Sequence, residues 1–350
     1  MSSTWGECIK LSIFGGSHTD AIGVNLDGLP AGEAVDLEQV LAQMARRAPG
    51  QDPTATRRRE SDAPRVLCGL YQGVTTGAPL CAIIENTNQR SKDYEGLRIN
   101  PRPGHADYTA YVKYGNHHDV RGGGHFSGRL TAPLVFAGAV ARQILQRRGI
   151  LVASHVASIG EVEDTPFSPV AVDPQLMARL SGEYFPVIDP QAKEQMREVV
   201  EAARMDCDSV GGTVECVVTG LPVGAGNPMF DGAENLIASL CFGIPAMKGI
   251  EFGAGFAASR LRGSQNNDPF YYDENGQVRT RSNNAGGILG GITNGMPLVF
   301  RMAFKPTSSI SKEQDTVNLE TGKNAKLVIH GRHDPCIVPR AAIVQTCAAA

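Results

Sequence analysis

The strand-like segments of this chain come in short pairs with helices between the pairs, and few join into clean strand–helix–strand units. A parallel sheet needs such units, because each parallel crossover must traverse the sheet through a helix. The pattern therefore predicts an α+β fold, with antiparallel sheets and flanking helices, over a doubly wound sheet. Alternation marks strands over residues 8–14 and about 21–27, with Gly15-Gly16-Ser17-His18 between them. Asp36 and Gln39 have the form of a capping box, and Leu37, Val40, Leu41 and Met44 recur at helical spacing. That helix runs to about Arg47 and ends at Ala48-Pro49-Gly50. A polar loop over 51–64 precedes strands at 65–71 and 80–85. A strongly apolar helix at 131–148 stops at Arg147-Arg148-Gly149. A strand at about 150–159 comes next, then a helix from Asp189-Pro190, with Asp as cap and Pro first, to about Met205. The remainder reads as a strand at 213–219, a helix at 231–242, strand and glycine-rich loop over 247–295, strands at 296–304 and 325–329, and a terminal helix at 336–348. No repeat or linker interrupts the chain, so one domain over residues 1–350 is expected.

Between the strand at 80–85 and the apolar helix lies a long stretch, 86–130, with little regular pattern. Structureless loops of that length in a compact domain are usually functional. Here the stretch holds Arg102-Pro103-Gly104-His105-Ala106-Asp107, then His117-His118, then Arg121-Gly122-Gly123-Gly124-His125-Phe126-Ser127-Gly128-Arg129. Three consecutive glycines suit backbone that must approach another group closely, and His and Arg supply proton transfer and anion binding. A solvated loop with polar decoration is the competing reading.

Other stretches add weight. His18, in a Gly-Ser turn between strands, is placed either to reach a ligand or to serve as a hydrogen-bonded turn residue. Arg46, Arg47, Arg57, Arg58 and Arg59 crowd one loop. A solvated helix end accounts for the first two; the other three point to an anionic small molecule, with Glu60 and Asp62 as partial neutralisers. Lys305-Pro306-Thr307-Ser308-Ser309 after a strand is an anion cradle or an ordinary polar turn. In Arg332-His333-Asp334-Pro335-Cys336, Asp334 suits a helix cap, a role that does not need the adjacent Arg and His. Asn283 to Gly291 is a glycine-rich loop, and neither a dinucleotide fingerprint nor a phosphate-loop motif occurs. His117, His118, His125 and Asp334 lack metal-ligand spacing, so no metal is expected.

Composition narrows the class. A net charge of −3 argues against a nucleic-acid binder. No apolar segment approaches membrane-spanning length, so no membrane partner is expected. The eight cysteines form no C-x-x-C pair and mostly lie in apolar segments, which reads as buried free thiols in a reducing compartment. Glu7 and Lys10 stand where a signal peptide needs an apolar run, and the expected location is the cytoplasm.

Taken in order, Phe14 to His18, Arg46 to Gly50, Glu85 to Ser91, Arg102 to Asp107, Gly122 to Thr131, Asp208 to Gly212, Leu261 to Gln265, Asn284 to Gly291, Lys305 to Ser309 and Gly331 to Cys336 resemble the chorismate synthase family, from about Ile9 to Val344. The resemblance implies a β-α-β sandwich of antiparallel sheets and helices, usually a homotetramer. It implies an enzyme of the shikimate pathway that makes chorismate from 5-enolpyruvylshikimate 3-phosphate by 1,4-anti elimination of phosphate. It also implies reduced FMN, with no net redox change, supplied either by the chain's own use of NADPH or by an external flavin reductase. By the same resemblance His18 lies near the leaving phosphate, His105 near the flavin ring and Asp334 near flavin N5. His125, Phe126, Ser127, Ala246, Gly290, Lys305, Pro306, Thr307, Ser308, Ser309 and Arg332 surround FMN, and Arg47, Arg58 and Arg129 bind substrate anions. The sequence departs from the family pattern at Thr19, commonly Gly; at Pro53, often an anion-binding Arg; at the segment His125 to Thr131; and at Thr346, usually Glu. These departures support one alternative, a catalytically impaired relative that binds a phosphorylated ligand.

Overall fold

The computed structural model describes residues 3–50, 52, 62–87, 96–329 and 333–350. They form two compact units: Met1–Val140 with Arg197–Gly211 and Pro306–Ile337, and Ala141–Met196 with Gly212–Lys305 and Val338–Ala350. The expected α+β class with antiparallel sheets is what is found.

The first unit is built on five antiparallel strands in the spatial order Thr4–Trp5, Lys10–Gly15, Ala21–Asp27, Leu80–Glu85, Arg65–Cys68. Ile22, Val24 and Leu26 pair with Ile84, Ala82 and Leu80, and all six are buried. That single apolar row fixes the register, since a one-residue slip would turn it to the other face. The strand expected over 65–71 ends at Cys68; Leu70–Tyr71 turns away into a two-stranded hairpin with Val74–Thr75. Asp36 caps the helix Leu37–Arg47 through the Glu38 and Gln39 amides. The Gln39 side chain returns to the Asp36 carboxylate. Among its described residues the irregular stretch contains a helix at Asp107–Lys113 and 3-10 segments that include Arg121–Phe126 and Gly128–Leu130. The hairpin Gln314–Asn318 with Lys323–Leu327 lies slightly before the expected strand at 325–329.

The second unit has five antiparallel strands in the order Met247–Phe252, Leu298–Phe304, Gly212–Thr219, Leu151–Ile159, Val162–Glu163. On one face Ala153, Val217 and Val299 join Phe167 and, from the helix Pro174–Gly182, Met177 and Leu180 in a buried cluster. The helix Val338–Ala349 packs on the strands Leu151–Ile159 and Gly212–Thr219, where Thr346 Oγ1 donates to Ser154 Oγ at 2.9 Å. Thr346, where the family usually has Glu, is therefore a packed, hydrogen-bonded residue of this chain.

One row of this sheet is charged. His155, Glu215, Arg301 and Glu251 are successive cross-strand partners. His155 Nδ1 bonds Asp164 at 2.7 Å and Nε2 bonds Glu215 at 3.1 Å. Arg301 bonds Glu215 at 3.2 Å and Glu251 at 2.8 Å. Burial opposes a charge on His155, but the bonds to Asp164 and Glu215 overcome it and its pKa rises.

None of the eight cysteines is in a disulfide. Cys216, Cys241, Cys336 and Cys347 are buried as expected, whereas Cys8, Cys68 and Cys207 are exposed, because the segments around them present the thiol at a turn or strand end. Among the described residues no helix is long and apolar enough to cross a membrane.

Candidate active site

Gly122, Gly123 and Gly124 have φ of 60°, 82° and 53°. L-residues pay for this left-handed region, which glycine enters freely. Space forbids side chains as firmly as φ does. A Cβ on Gly122 would lie 2.1 Å from His18 Nδ1 and 2.6 Å from Ser17 Oγ. On Gly123 it would lie 3.2 Å from the His105 ring, and on Gly124 2.1 Å from the Asp119 carbonyl oxygen. The run is thus a bare backbone floor on which two sequence-distant histidines rest. The Ser17 amide donates to Gly124 O at 3.1 Å, joining the His18 turn to this floor.

His125 closes the arrangement. Its Nδ1 is 2.8 Å from Gly15 O, an acceptor only, so Nδ1 carries the proton and Nε2 accepts from the Ser3 hydroxyl at 2.7 Å. Thr19 is absorbed by its turn: its hydroxyl meets the Gly16 amide at 2.9 Å and the Ala21 carbonyl at 2.8 Å. Asn86 donates to Gly16 O and Thr19 O, and its Oδ1 accepts from Arg129 Nε at 3.0 Å.

Through Asn86 the His18 turn reaches a buried arginine pair. Arg47 and Arg129 converge on Asp62, with Arg47 Nη1 2.6 Å from Asp62 Oδ2 and Arg129 Nη1 on Oδ1. Arg47 also donates to Thr131 Oγ1 and Gly128 O. Burial pushes the Asp62 carboxyl up, but the two guanidiniums outweigh it and the pKa falls. Arg46 and Arg47 are both buried, so a solvated helix end explains neither. The reason is tertiary: the partners stand 15 and 84 residues away from Arg47. Asp62 does neutralise arginines, namely Arg47 and Arg129. Leu130 is buried beside them in sequence. An open cleft of about 660 Å³ adjoins Asn86, lined also by Asp20, Arg65, Glu85 and Thr87.

His105 belongs to a second network. Its Nδ1 is 2.6 Å from Asp107 Oδ1, and Arg102 grips the same carboxylate through Nε at 2.7 Å and Nη2 at 2.8 Å. Burial raises the Asp107 pKa, yet these bonds hold it far below the usual carboxylate range. Arg102 Nη1 donates to Ser309 Oγ, and Ser308 Oγ donates to Gly104 O, so the loop after Lys305 is tied to the His105 loop. Ser209 Oγ donates to Thr307 O, and the Val210 amide to Pro335 O, which bring the Asp208 segment and the residue after Asp334 to the same region. Thr307 Oγ1 is buried with no hydrogen-bond partner among the described residues. The terminal helix begins at Val338, not 336, so Asp334 is not its cap.

His18, His105, His125, Phe126, Ser127, Arg47, Arg129, Asp334 and Pro306 to Ser309 all fall in the first unit. Ala246, Gly290 and Lys305 fall in the second. There Ala246 holds a φ of 70°, rare for a residue with a Cβ, and its carbonyl accepts the Lys305 amide at 3.0 Å. Gly290, φ 61°, is the open tip of the hairpin Ile288–Leu289 with Ile292–Thr293. Arg58, Arg332 and Pro53 lie outside the described residues. Sequence reasoning gave no role to Asp107 or Asn86; their place inside polar motifs was the available signal, but their partners are set by tertiary folding.

The family model described as chorismate synthase matches residues 9–350. A protein named chorismate synthase from Dehalococcoides mccartyi is 48% identical over 98% of this chain and 93% of its own length. One of the same name from Thermococcus kodakarensis is 47% identical over 96% of this chain and 92% of its own. A solved structure titled "Crystal Structure of Chorismate Synthase" superposes with a TM-score of 0.74 at 27% identity, covering 98% of this chain and 89% of that one.

Proposed function

The chain belongs to the chorismate synthase family, and from that premise we propose how its residues convert 5-enolpyruvylshikimate 3-phosphate to chorismate and phosphate. The observation that carries the reading is the meeting of His18 and His105 on the Gly122–Gly123 backbone. Loss of phosphate leaves negative charge on the departing oxygen, and a cationic His18 neutralises it by donating a proton. Arg47 and Arg129 orient the substrate's anionic groups, with Asp62 setting their positions. His105 presents Nε2 for proton exchange on the same floor, and Asp334 serves as a further proton-transfer group.

The residues present fit FMN. Thr307 offers a buried hydroxyl with no partner among the described residues, Gly122 to Gly124 offer backbone without side chains, and Lys305 carries a cationic side chain. Reduced FMN, when bound, supplies the electron density that an unactivated C–H cleavage demands. Pro306, Ser308, Ser309, Ser127 and Phe126 would hold it, and His125 would orient the loop. Either NADPH or an external flavin reductase would keep it reduced. We also propose a cytoplasmic homotetramer whose two units work as one catalytic domain. The second unit's exposed Phe230, Phe242, Phe256, Phe270 and Tyr272 support association.

The test is anaerobic phosphate release from 5-enolpyruvylshikimate 3-phosphate with photoreduced FMN. Release of one phosphate per chorismate is expected. Tight flavin and substrate binding without phosphate release would instead identify an impaired relative.

A further inference from the structure

We propose that Asp107 is the positioning residue of the site: it fixes His105 in the Nδ1–H tautomer and leaves Nε2 as the proton-exchanging atom. The proposal rests on the reading of His105 as a proton-transfer group. Two groups approach His105 Nδ1: Asp107 Oδ1 at 2.6 Å and Arg102 Nη2 at 3.1 Å. They demand opposite tautomers, because a guanidinium only donates and a carboxylate only accepts. A bare nitrogen lone pair 2.6 Å from an ionised carboxylate would be repelled, so Nδ1 carries the hydrogen and donates to Asp107. Asp107 is ionised, since the Arg102 amide and Nε both donate to Oδ2, at 3.0 and 2.7 Å, and Nη2 donates to Oδ1.

The carboxylate is itself immobilised. Its side chain is 5% exposed, against 19% for His105. Arg102 continues to Ser309 Oγ at 3.1 Å, so the imidazole is referenced to the Pro306–Ser309 loop. Among the described residues His105 Nε2 makes no hydrogen bond, and it lies over Gly123, where an added Cβ would sit 3.2 Å away. One ring nitrogen is therefore committed and the other presented. A carboxylate behind an imidazole sets tautomer and orientation and stabilises the cation that forms in proton transfer.

Asp107→Asn keeps the shape, removes the charge and lets an amide N–H donate to Nδ1, favouring the wrong tautomer. It is expected to lower kcat about 10²-fold or more, with KM for 5-enolpyruvylshikimate 3-phosphate little changed. In a His105→Ala background the same change is expected to cost nothing further. Selective ¹⁵N labelling should show the His105 proton on Nδ1 in the wild type and displaced in the Asn variant. Asp107→Glu retains the charge facing Arg102 and covers the case in which Asn fails to fold; it should melt like the wild type and lose at least about tenfold in kcat. Wild-type turnover in either folded Asp107 variant, or full additivity with His105→Ala, overturns the proposal while leaving His105 in its role. Full activity of His105→Ala alone removes the His105 reading and the proposal with it.

Discussion

His105 in the first unit and His155 in the second each place Nδ1 on a buried carboxylate, at 2.6 Å from Asp107 and 2.7 Å from Asp164. They differ at the other nitrogen. His155 Nε2 meets a second carboxylate, Glu215, and the side chain is 0% exposed. His105 Nε2 faces the glycine floor from a ring that keeps partial access. The neighbours of His155 are spent as well: Asp164 accepts the Ile188 and Asp189 amides, and Glu215 accepts the Phe167 amide. A histidine bonded at both ends holds strands together. A histidine bonded at one end can pass a proton. The residue type and its carboxylate neighbour do not distinguish the two; the surroundings of the second nitrogen do.

The largest expected effects exchange turnover for stability between these two residues. His105→Ala and His18→Ala should each lose about 10²–10⁴ in turnover while melting near the wild-type temperature. His155→Gln should do the reverse, keeping turnover per folded molecule and losing about 3–5 kcal/mol, because Asp164 loses its cationic partner in the buried row and Glu215 keeps only Arg301. The His155 loss has a pH signature. Its folded pKa lies above the ordinary 6.5, so its contribution is fully present below 6.5 and disappears as pH rises through the raised value. Denaturant unfolding of wild type and His155→Gln across pH measures this. A stability gap that widens at high pH, or a catalytic loss in folded His155→Gln, would break the contrast.

Asp62 sharpens the comparison from a third side, since it is as buried as Asp164 but serves the proposed anion-binding arginines. Asp62→Asn should raise KM more than it lowers kcat, by about 1.5–3 kcal/mol of substrate binding. An unchanged KM in steady-state assays would place Asp62 with the purely structural carboxylates. A smaller effect is expected at Gln345, which is fully buried with neither amide atom hydrogen-bonded among the described residues. Gln345→Met should raise stability by about 1 kcal/mol without touching turnover, as an unsatisfied amide is replaced by a thioether of similar size. A lower melting temperature would show that the amide is needed.

What was legible in the sequence was local. Asp36 and Asp189-Pro190 start their helices as their chemistry demands, because a cap depends only on residues within one turn. The class of fold was readable from the pairing of short strands. The helix Asp107–Lys113 escaped notice because it is seven residues long and Ala106 offers no side-chain cap. The hairpin strand Gln314–Asn318 alternates without an apolar face, so its period carries no hydrophobic signal. Asp334 looked like a cap, yet the helix starts four residues later. At the site, the motifs showed which residues matter but not how they connect. Arg47 with Thr131, Asn86 with Arg129, and Arg102 with Ser309 join positions 84, 43 and 207 residues apart, which no spacing rule reaches.

The central claim is that the glycine run exists so that His18 and His105 can rest on bare backbone. Gly122 and Gly149 separate close approach from backbone conformation. Both are left-handed, with φ of 60° and 77°, but a Cβ on Gly149 meets nothing within 4 Å whereas one on Gly122 lies 2.1 Å from His18. Gly122→Ala and Gly149→Ala should therefore share a strain of about 1–2 kcal/mol. Anaerobic phosphate release per folded molecule is the deciding measurement: Gly122→Ala should fall as far as His18→Ala while Gly149→Ala stays at the wild-type rate. Equal, near wild-type rates for the two would contradict the account.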